Sequence, residues 1–138
     1  AKVLQKYKPS LIIGYANALY LFYKFVSKHQ IFLPLVKGII SSAETLYNYQ
    51  RDLIESVSNS KVYNRYGCRE VGLIASECSY HNGLHLNAEN IYFEINSDKK
   101  LNLENEMGEA IVTDLLNFGM PLIRQDSNRL SVPSTFVS

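Results

Sequence analysis

Residues 11–66 read LIIGYANALYLFYKFVSKHQIFLPLVKGIISSAETLYNYQRDLIESVSNSKVYNRY, and their pattern decides the fold. Residues 11–15 are a short apolar run after Pro9, as a buried strand would be. Leu19, Phe22, Tyr23 and Val26 then recur at helical spacing, and Asn17 stands where it could cap that helix. Residues 35–40 form a second apolar run. Leu46, Leu53 and Val57 mark the inner face of a second helix, with Arg51 and Glu55 paired one turn apart on its surface. Residues 61–66 form a third strand. Strand, helix, strand, helix, strand predicts a parallel sheet with crossover helices.

The pattern changes after Gly72. Ile91, Phe93 and Ile95 alternate with Tyr92 and Glu94, as in a half-exposed strand. Residues 96–99 and 105–108 read as turns. Residues 109–115 and 122–125 read as further strands, joined through Asn117-Phe118-Gly119. The expected class is α/β: a parallel βαβαβ unit over 11–66, then mainly antiparallel strands. One core is expected over 1–130, with 1–72 and 73–130 as its two parts, and a tail at 131–138 without an element.

A length of 138 residues suits one domain, and a hydrophobic fraction of 46% supports a folded core. Fourteen basic and thirteen acidic residues give a net charge of +1 with no basic stripe, which argues against nucleic acid. The N-terminus lacks a basic head followed by a short apolar core, so no signal peptide is expected. The uncharged stretch between Lys8 and Lys24 is shorter than the roughly 18 apolar residues that a membrane span needs, and it contains Pro9, Gly14 and Asn17. Two cysteines suit a reducing cytoplasm better than a disulfide framework.

Ser41-Ser42-Ala43-Glu44 and Tyr66-Gly67-Cys68-Arg69-Glu70 both sit where an apolar run ends. In an open α/β sheet, ligands bind outside the carboxyl ends of the strands. Small residues let a backbone approach a ligand, Tyr66 offers a ring face to a base, and the Glu70 carboxylate can hold magnesium. Plain turn chemistry explains each residue singly. Gly67 then supplies a permissive backbone, Glu44 is a first-turn helix residue, and Glu70 is a surface carboxylate.

Ser-Ala-Glu followed by Tyr-Gly-x-x-Glu resembles the adenylate-forming, AMP-binding ligases. Within them it is most similar to the phenylacetate–CoA ligase branch, which includes capsule-biosynthesis relatives. Ser76-Glu77-Cys78 running to Gly83-Leu84-His85, Gly108-Glu109-Ala110-Ile111-Val112-Thr113-Asp114 and Met120-Pro121-Leu122-Ile123-Arg124 agree, in the same order. The resemblance runs from Lys8-Pro9-Ser10 to Arg124. It implies ATP or AMP with magnesium as cofactors, and a carboxylic acid and CoA as partners of the complete enzyme. Glu70 becomes the magnesium-side catalytic carboxylate. Tyr66 stacks on adenine, and Gly67 beside Cys68 lets the backbone come close. Ser42, Ala43 and Glu44 border the adenine, largely through main-chain groups.

Family members are several times longer. The Ser/Thr/Gly-rich phosphate loop and the C-terminal domain with its catalytic lysine are not in this sequence. The chain therefore reads as an internal piece or shortened relative, inactive by itself. The alternative is a catalytically silent relative that acts as a binding or scaffold module in capsule or polysaccharide biosynthesis. Relatives follow Pro-Leu-Ile-Arg with Tyr-x-x-Gly-Asp, whose aspartate holds the ribose. Here Gln125-Asp126-Ser127-Asn128-Arg129 puts arginine at that position, and arginine accepts no hydrogen bond.

Cys78-x2-His81-x3-His85, with Cys68 upstream, has sulfur and imidazole at a spacing that suits tetrahedral zinc. The other reading is one buried cysteine and two exposed loop histidines beside Gly83.

Overall fold

A computed structural model describes residues 2–96, 108–132 and 136–137. The chain divides into two compact units, Ala1–Arg65 and Tyr66–Ser138. The first contains α1 (Lys2–Tyr7), β1 (Leu11–Tyr15), α2 (Ala16–Lys28), β2 (Gly38–Ser42), α3 (Asn48–Ser58) and the start of β3 (Val62–Cys68). The expected parallel βαβαβ unit is present. β1 pairs with β2 from Leu11↔Gly38 to Tyr15↔Ser42, and β2 pairs with β3 from Ile39↔Val62 to Ser42↔Arg65.

Both crossover helices cover one face of this sheet. Leu19 and Tyr23 from α2, Ile54 from α3, Ile39 from β2, Val62 from β3 and the loop residue Val36 form its core. Phe22, Leu53 and Val57 pack around them as partly buried side chains on the faces read from spacing, and Leu46 packs there from the loop before α3, not from the helix. Burial pushes the Tyr23 hydroxyl up to about 12, so it stays neutral. Leu11, Ile13 and Tyr15 alternate onto the other face and are exposed.

Element ends differ from the sequence reading where hydrogen bonding overrides hydrophobicity. The second strand begins at Gly38, not at residue 35. Lys37 N–H donates to the Ser10 carbonyl at 2.7 Å, and ladder pairing starts immediately after it. β2 then continues through the polar Ser41 and Ser42, because β1 and β3 still offer partners there. Asn17 does not cap α2 with its side chain; the residue before the helix is Tyr15, which provides no side-chain cap. In α3 the side chain of buried Gln50 accepts from Tyr47 N–H at 3.1 Å. The helix ends at Asn59, whose left-handed backbone (φ 54°) closes it.

α3 also clamps the start of β3. Glu55 accepts from Val62 N–H at 2.9 Å and from Lys61 Nζ at 3.0 Å, while Arg51 donates to the Val62 carbonyl at 2.6 Å.

The second unit contains the end of β3, then β4 (Gly72–Ser76), β5 (Leu84–Leu86), β6 (Ile91–Asn96), β7 (Gly108–Asp114), β8 (Gln125–Val132) and β9 (Phe136–Val137). One sheet here has the order β3-β4-β5-β9, and a second has the order β6-β7-β8. Pairing is antiparallel for β4 with β5, β6 with β7 and β7 with β8, as the sequence reading expected. β9 is parallel to β5. Ile74, Ala75, Ile91 and Val112 form the core.

Two expectations are corrected here. The strand read at 122–125 begins only at Gln125 and runs to Val132, and the tail read as featureless carries the end of β8 and all of β9. The connection before β8 is held by polar bonds. Asp114 Oδ1 accepts from the N–H groups of Leu116 and Asn117 at 2.9 and 3.2 Å, and Asn117 Oδ1 accepts from Met120 N–H at 3.1 Å. The residues of β8 lack an apolar alternation, so only their pairing with β7 identifies them as a strand. The turns read at 96–99 and 105–108 fall largely on residues 97–107, outside the described residues.

Candidate functional site

The carboxyl end of the first unit's sheet is built from two rows of paired residues. Gly14, Ser41 and Asn64 are in register on the helix-covered face. A Cβ at Gly14 would lie 3.1 Å from the Leu19 side chain, so glycine there leaves room for Leu19. Ser41 is fully buried, and its hydroxyl has no hydrogen-bond partner among the described residues. Tyr15, Ser42 and Arg65 form the next row, on the opposite face. Ala43 and Glu44 follow at the strand end.

Ala43 adopts a left-handed backbone (φ 66°), which turns the chain sharply out of β2. Glu44 is not in the first turn of the following helix, which starts at Asn48. Its Oε2 instead accepts from the backbone N–H of Asn17 at 2.8 Å. Asn17 is the second residue of α2, so Glu44 caps that helix from 27 residues away. A carboxylate there satisfies an orphan N–H and faces the positive helix end. Glu44 thus ties the β2 exit to the β1 exit.

In the second unit, Tyr66 and Cys68 are half-buried and pack against the Ile74 cluster. Gly67 has a structural reason of its own. A Cβ built there would fall far inside contact distance of the Gly72 carbonyl oxygen. The neighbouring backbone therefore requires glycine at 67, whether or not a ligand approaches. Arg69 and Glu70 are exposed in the turn between β3 and β4, and Gly72 completes that turn with φ 81°. An exposed carboxylate on a tight turn fits magnesium, which takes few protein oxygens alongside phosphate.

The zinc set is not brought together. Among the described residues, no three His, Cys, Asp or Glu side chains are placed to hold a metal ion. His85 lies exposed in β5, paired in register with Ser76. His81 sits on a left-handed backbone (φ 53°) and places Nδ1 3.2 Å from Glu77 Oε2. That turn spends the imidazole on Glu77 and leaves Cys68, Cys78, His81 and His85 without a shared centre.

Arg124, the last residue of the Pro-Leu-Ile-Arg stretch, donates to Glu94 Oε1 at 2.6 Å, and its N–H donates to Thr113 Oγ1 at 3.0 Å. Arg129 lies within β8. The sequence reading did not single out Tyr15 or Arg65. The signal was available in the strand ends, since Tyr15 closes the first apolar run and Arg65 directly precedes Tyr66.

No protein-family model and no curated protein matches this sequence. Solved structures do match. A 2-hydroxyisobutyryl-CoA ligase in an open conformation, in complex with 2-HIB-AMP and CoA, superposes with a TM-score of 0.75 at 18% identity, over 91% of this chain and 31% of that one. A benzoate CoA ligase from Burkholderia xenovorans LB400 gives 0.64 at 11% identity, over 90% and 29%. The anthranilate CoA ligase AuaEII, in complex with anthranoyl-AMP, gives 0.63 at 14% identity, over 79% and 22%. The chain has the fold of a section of these ligases and spans a third or less of their length. Among the described residues, no helix is long and apolar enough to cross a membrane.

Proposed function

We propose that this chain is the nucleotide- and acyl-binding portion of an AMP-forming acid–CoA ligase, on the phenylacetate–CoA ligase side of that superfamily. The observation that carries the reading is the shared fold with acyl-CoA ligases over 91% of the chain, combined with Ser42-Ala43-Glu44 at the exit of β2 and Tyr66-Gly67-x-x-Glu70 at the end of β3. In this reading Ser42 and Ala43 meet the adenine through their main chain, because the Glu44 carboxylate is engaged with α2. By the resemblance, Tyr66 of the second unit is the residue that stacks on a base, and Cys68 lies in the same strand. Glu70 holds magnesium, which when bound offsets phosphate charge.

Binding, not turnover, is the activity expected of these 138 residues. Acyl adenylation needs two anions held in line with their charge offset. The phosphate loop and catalytic lysine that the resemblance implies are not among them. Arg129 supports a second reading, a catalytically silent scaffold relative, because it replaces a ribose acceptor with a donor.

One titration separates the two. AMP is added to the whole chain and to the Tyr66→Ala and Arg129→Asp variants, with amide shifts as the readout. Stacking on one aromatic is worth roughly 1–3 kcal/mol, so the expected affinity is millimolar to high micromolar. Tyr66→Ala should weaken it and Arg129→Asp should tighten it. Absence of shifts at Ser42, Ala43 and Tyr66 in all three proteins would remove the nucleotide reading and leave the scaffold.

A further inference from the structure

We infer that Tyr15, Ser42 and Arg65 form a subsite for a ring-bearing organic anion, in which Arg65 holds an acidic group other than the one that reacts. The choice of non-reacting group rests on the ligase reading. The subsite itself rests on the geometry of the first unit.

The ladder pairs Tyr15 with Ser42 and Ser42 with Arg65. Paired residues of parallel strands project to the same face, and successive residues alternate. Ile12, Ile39 and Val62 belong to the helix-covered core, which sends Tyr15, Ser42 and Arg65 to the opposite face. Gly38 supports this assignment: a Cβ there would lie 3.6 Å from side-chain atoms of both Leu11 and Tyr63, so 11, 38 and 63 share that face too. The row therefore lies at the carboxyl ends of three parallel strands, where α/β sheets place ligands.

Its chemistry is graded along the row. Tyr15 is 60% exposed and offers a ring face at one end. Ser42 is half-buried in the middle, with a hydroxyl that donates and accepts. Arg65 is half-buried at the other end, and no described carboxylate forms an ion pair with it. Neighbouring strands are about 4.8 Å apart, so the outer two Cα atoms are separated by about 10 Å. That span fits one aromatic ring with an acidic substituent. Ile13 and Ile40, one layer below, give the ring an apolar floor.

Arginine's planar fork matches a carboxylate with two parallel hydrogen bonds. A carboxylate held that way has its lone pairs engaged and is a poor nucleophile. The acid group destined for activation must stay outside the fork. Arg65 therefore selects acids with a second anionic group, of which an aromatic dicarboxylate is the simplest.

The test titrates the whole chain separately with isophthalate, benzamide and AMP, following the amides of residues 15, 42 and 65. Isophthalate should bind roughly tenfold tighter than the uncharged benzamide, the gain of one charge-assisted pair. Arg65→Gln should bring isophthalate down to the benzamide level, Arg65→Lys should keep part of the difference, and Tyr15→Leu should weaken both ligands alike. Equal affinity of the two ligands for the unaltered chain overturns the inference, and needs no variant to fold. So does a ratio unchanged by Arg65→Gln, or no shift at these amides at the solubility limit of the two ligands. Isophthalate binding without AMP binding keeps the subsite and removes the ligase reading; AMP binding without acid binding does the reverse.

Discussion

Replacing Glu44 by alanine should destabilise the first unit by about 1 kcal/mol, within the range measured for loss of a helix cap. The Glu44 carboxylate accepts from Asn17 N–H at 2.8 Å, and Tyr15 gives α2 no side-chain cap of its own. Removing the acceptor leaves that N–H to water, and removing the negative charge forfeits a favourable helix-end interaction of about 0.3–1 kcal/mol. Glu44 is exposed, so solvent screens the charge and holds the total near the lower half of the cap range. Glu44→Gln keeps an acceptor oxygen and loses only the charge, so it should cost roughly half as much. Urea unfolding of the two variants gives the energies, and amide exchange at Asn17 reports the bond itself. The Ala43 backbone is held by this tie, so AMP shifts at Ser42 and Ala43 should weaken in Glu44→Ala and survive in Glu44→Gln. An unchanged unfolding midpoint with unchanged protection of the Asn17 amide in Glu44→Ala would falsify the capping role.

Gly67→Ala should cost at least about 2 kcal/mol, because the new Cβ meets the Gly72 carbonyl and the strand backbones must separate; a thermal melt with nucleotide absent checks that the cause is steric. Burial raises the Glu55 carboxyl, but the Val62 N–H, Lys61 and Arg51 outweigh it and hold it below its ordinary 4.5. A carboxylate lowered in the fold contributes stability above its unfolded value, and that contribution is lost as pH falls through the lower folded value. Stability measured downward from pH 6 should therefore decline less steeply in Glu55→Gln than in the unaltered chain; parallel curves would count against the clamp. Cys78→Ser should leave the melting temperature and the metal content unchanged, since the described residues gather no metal shell; stoichiometric zinc by elemental analysis would contradict this. Ile54→Ala should cost about 2–5 kcal/mol, since Ile54 is fully buried between α3 and the sheet; urea unfolding measures it, and a loss below 1 kcal/mol would mean the core is misassigned.

The alternation of apolar runs with helical spacing determined the first unit by itself. Leu19, Tyr23 and Val26 could serve only one buried face, and that face lies where spacing put it. Ile91 and Phe93 likewise announced a strand with one covered side. These signals are local, carried by side chains a few residues apart. The positions of the two candidate clusters followed from the same local reading, because each comes where an apolar run ends.

Tertiary structure alone decided what those residues do. The Glu44 carboxylate reaches Asn17 across 27 residues, a bond no helical or strand period encodes. Gly67 is glycine because of the carbonyl on the adjoining backbone, a steric fact that exists only once β3 and β4 are paired. Tyr15 and Arg65 stand apart in sequence and in one row in space, since the parallel register sets which residues of separate strands are neighbours. The histidines and cysteines failed in the opposite direction. Short spacing suggested a common centre, but the turn after β4 commits His81 to Glu77 and leaves His85 exposed on β5. Spacing along the chain limits which side chains can meet, and backbone pairing decides which of them do.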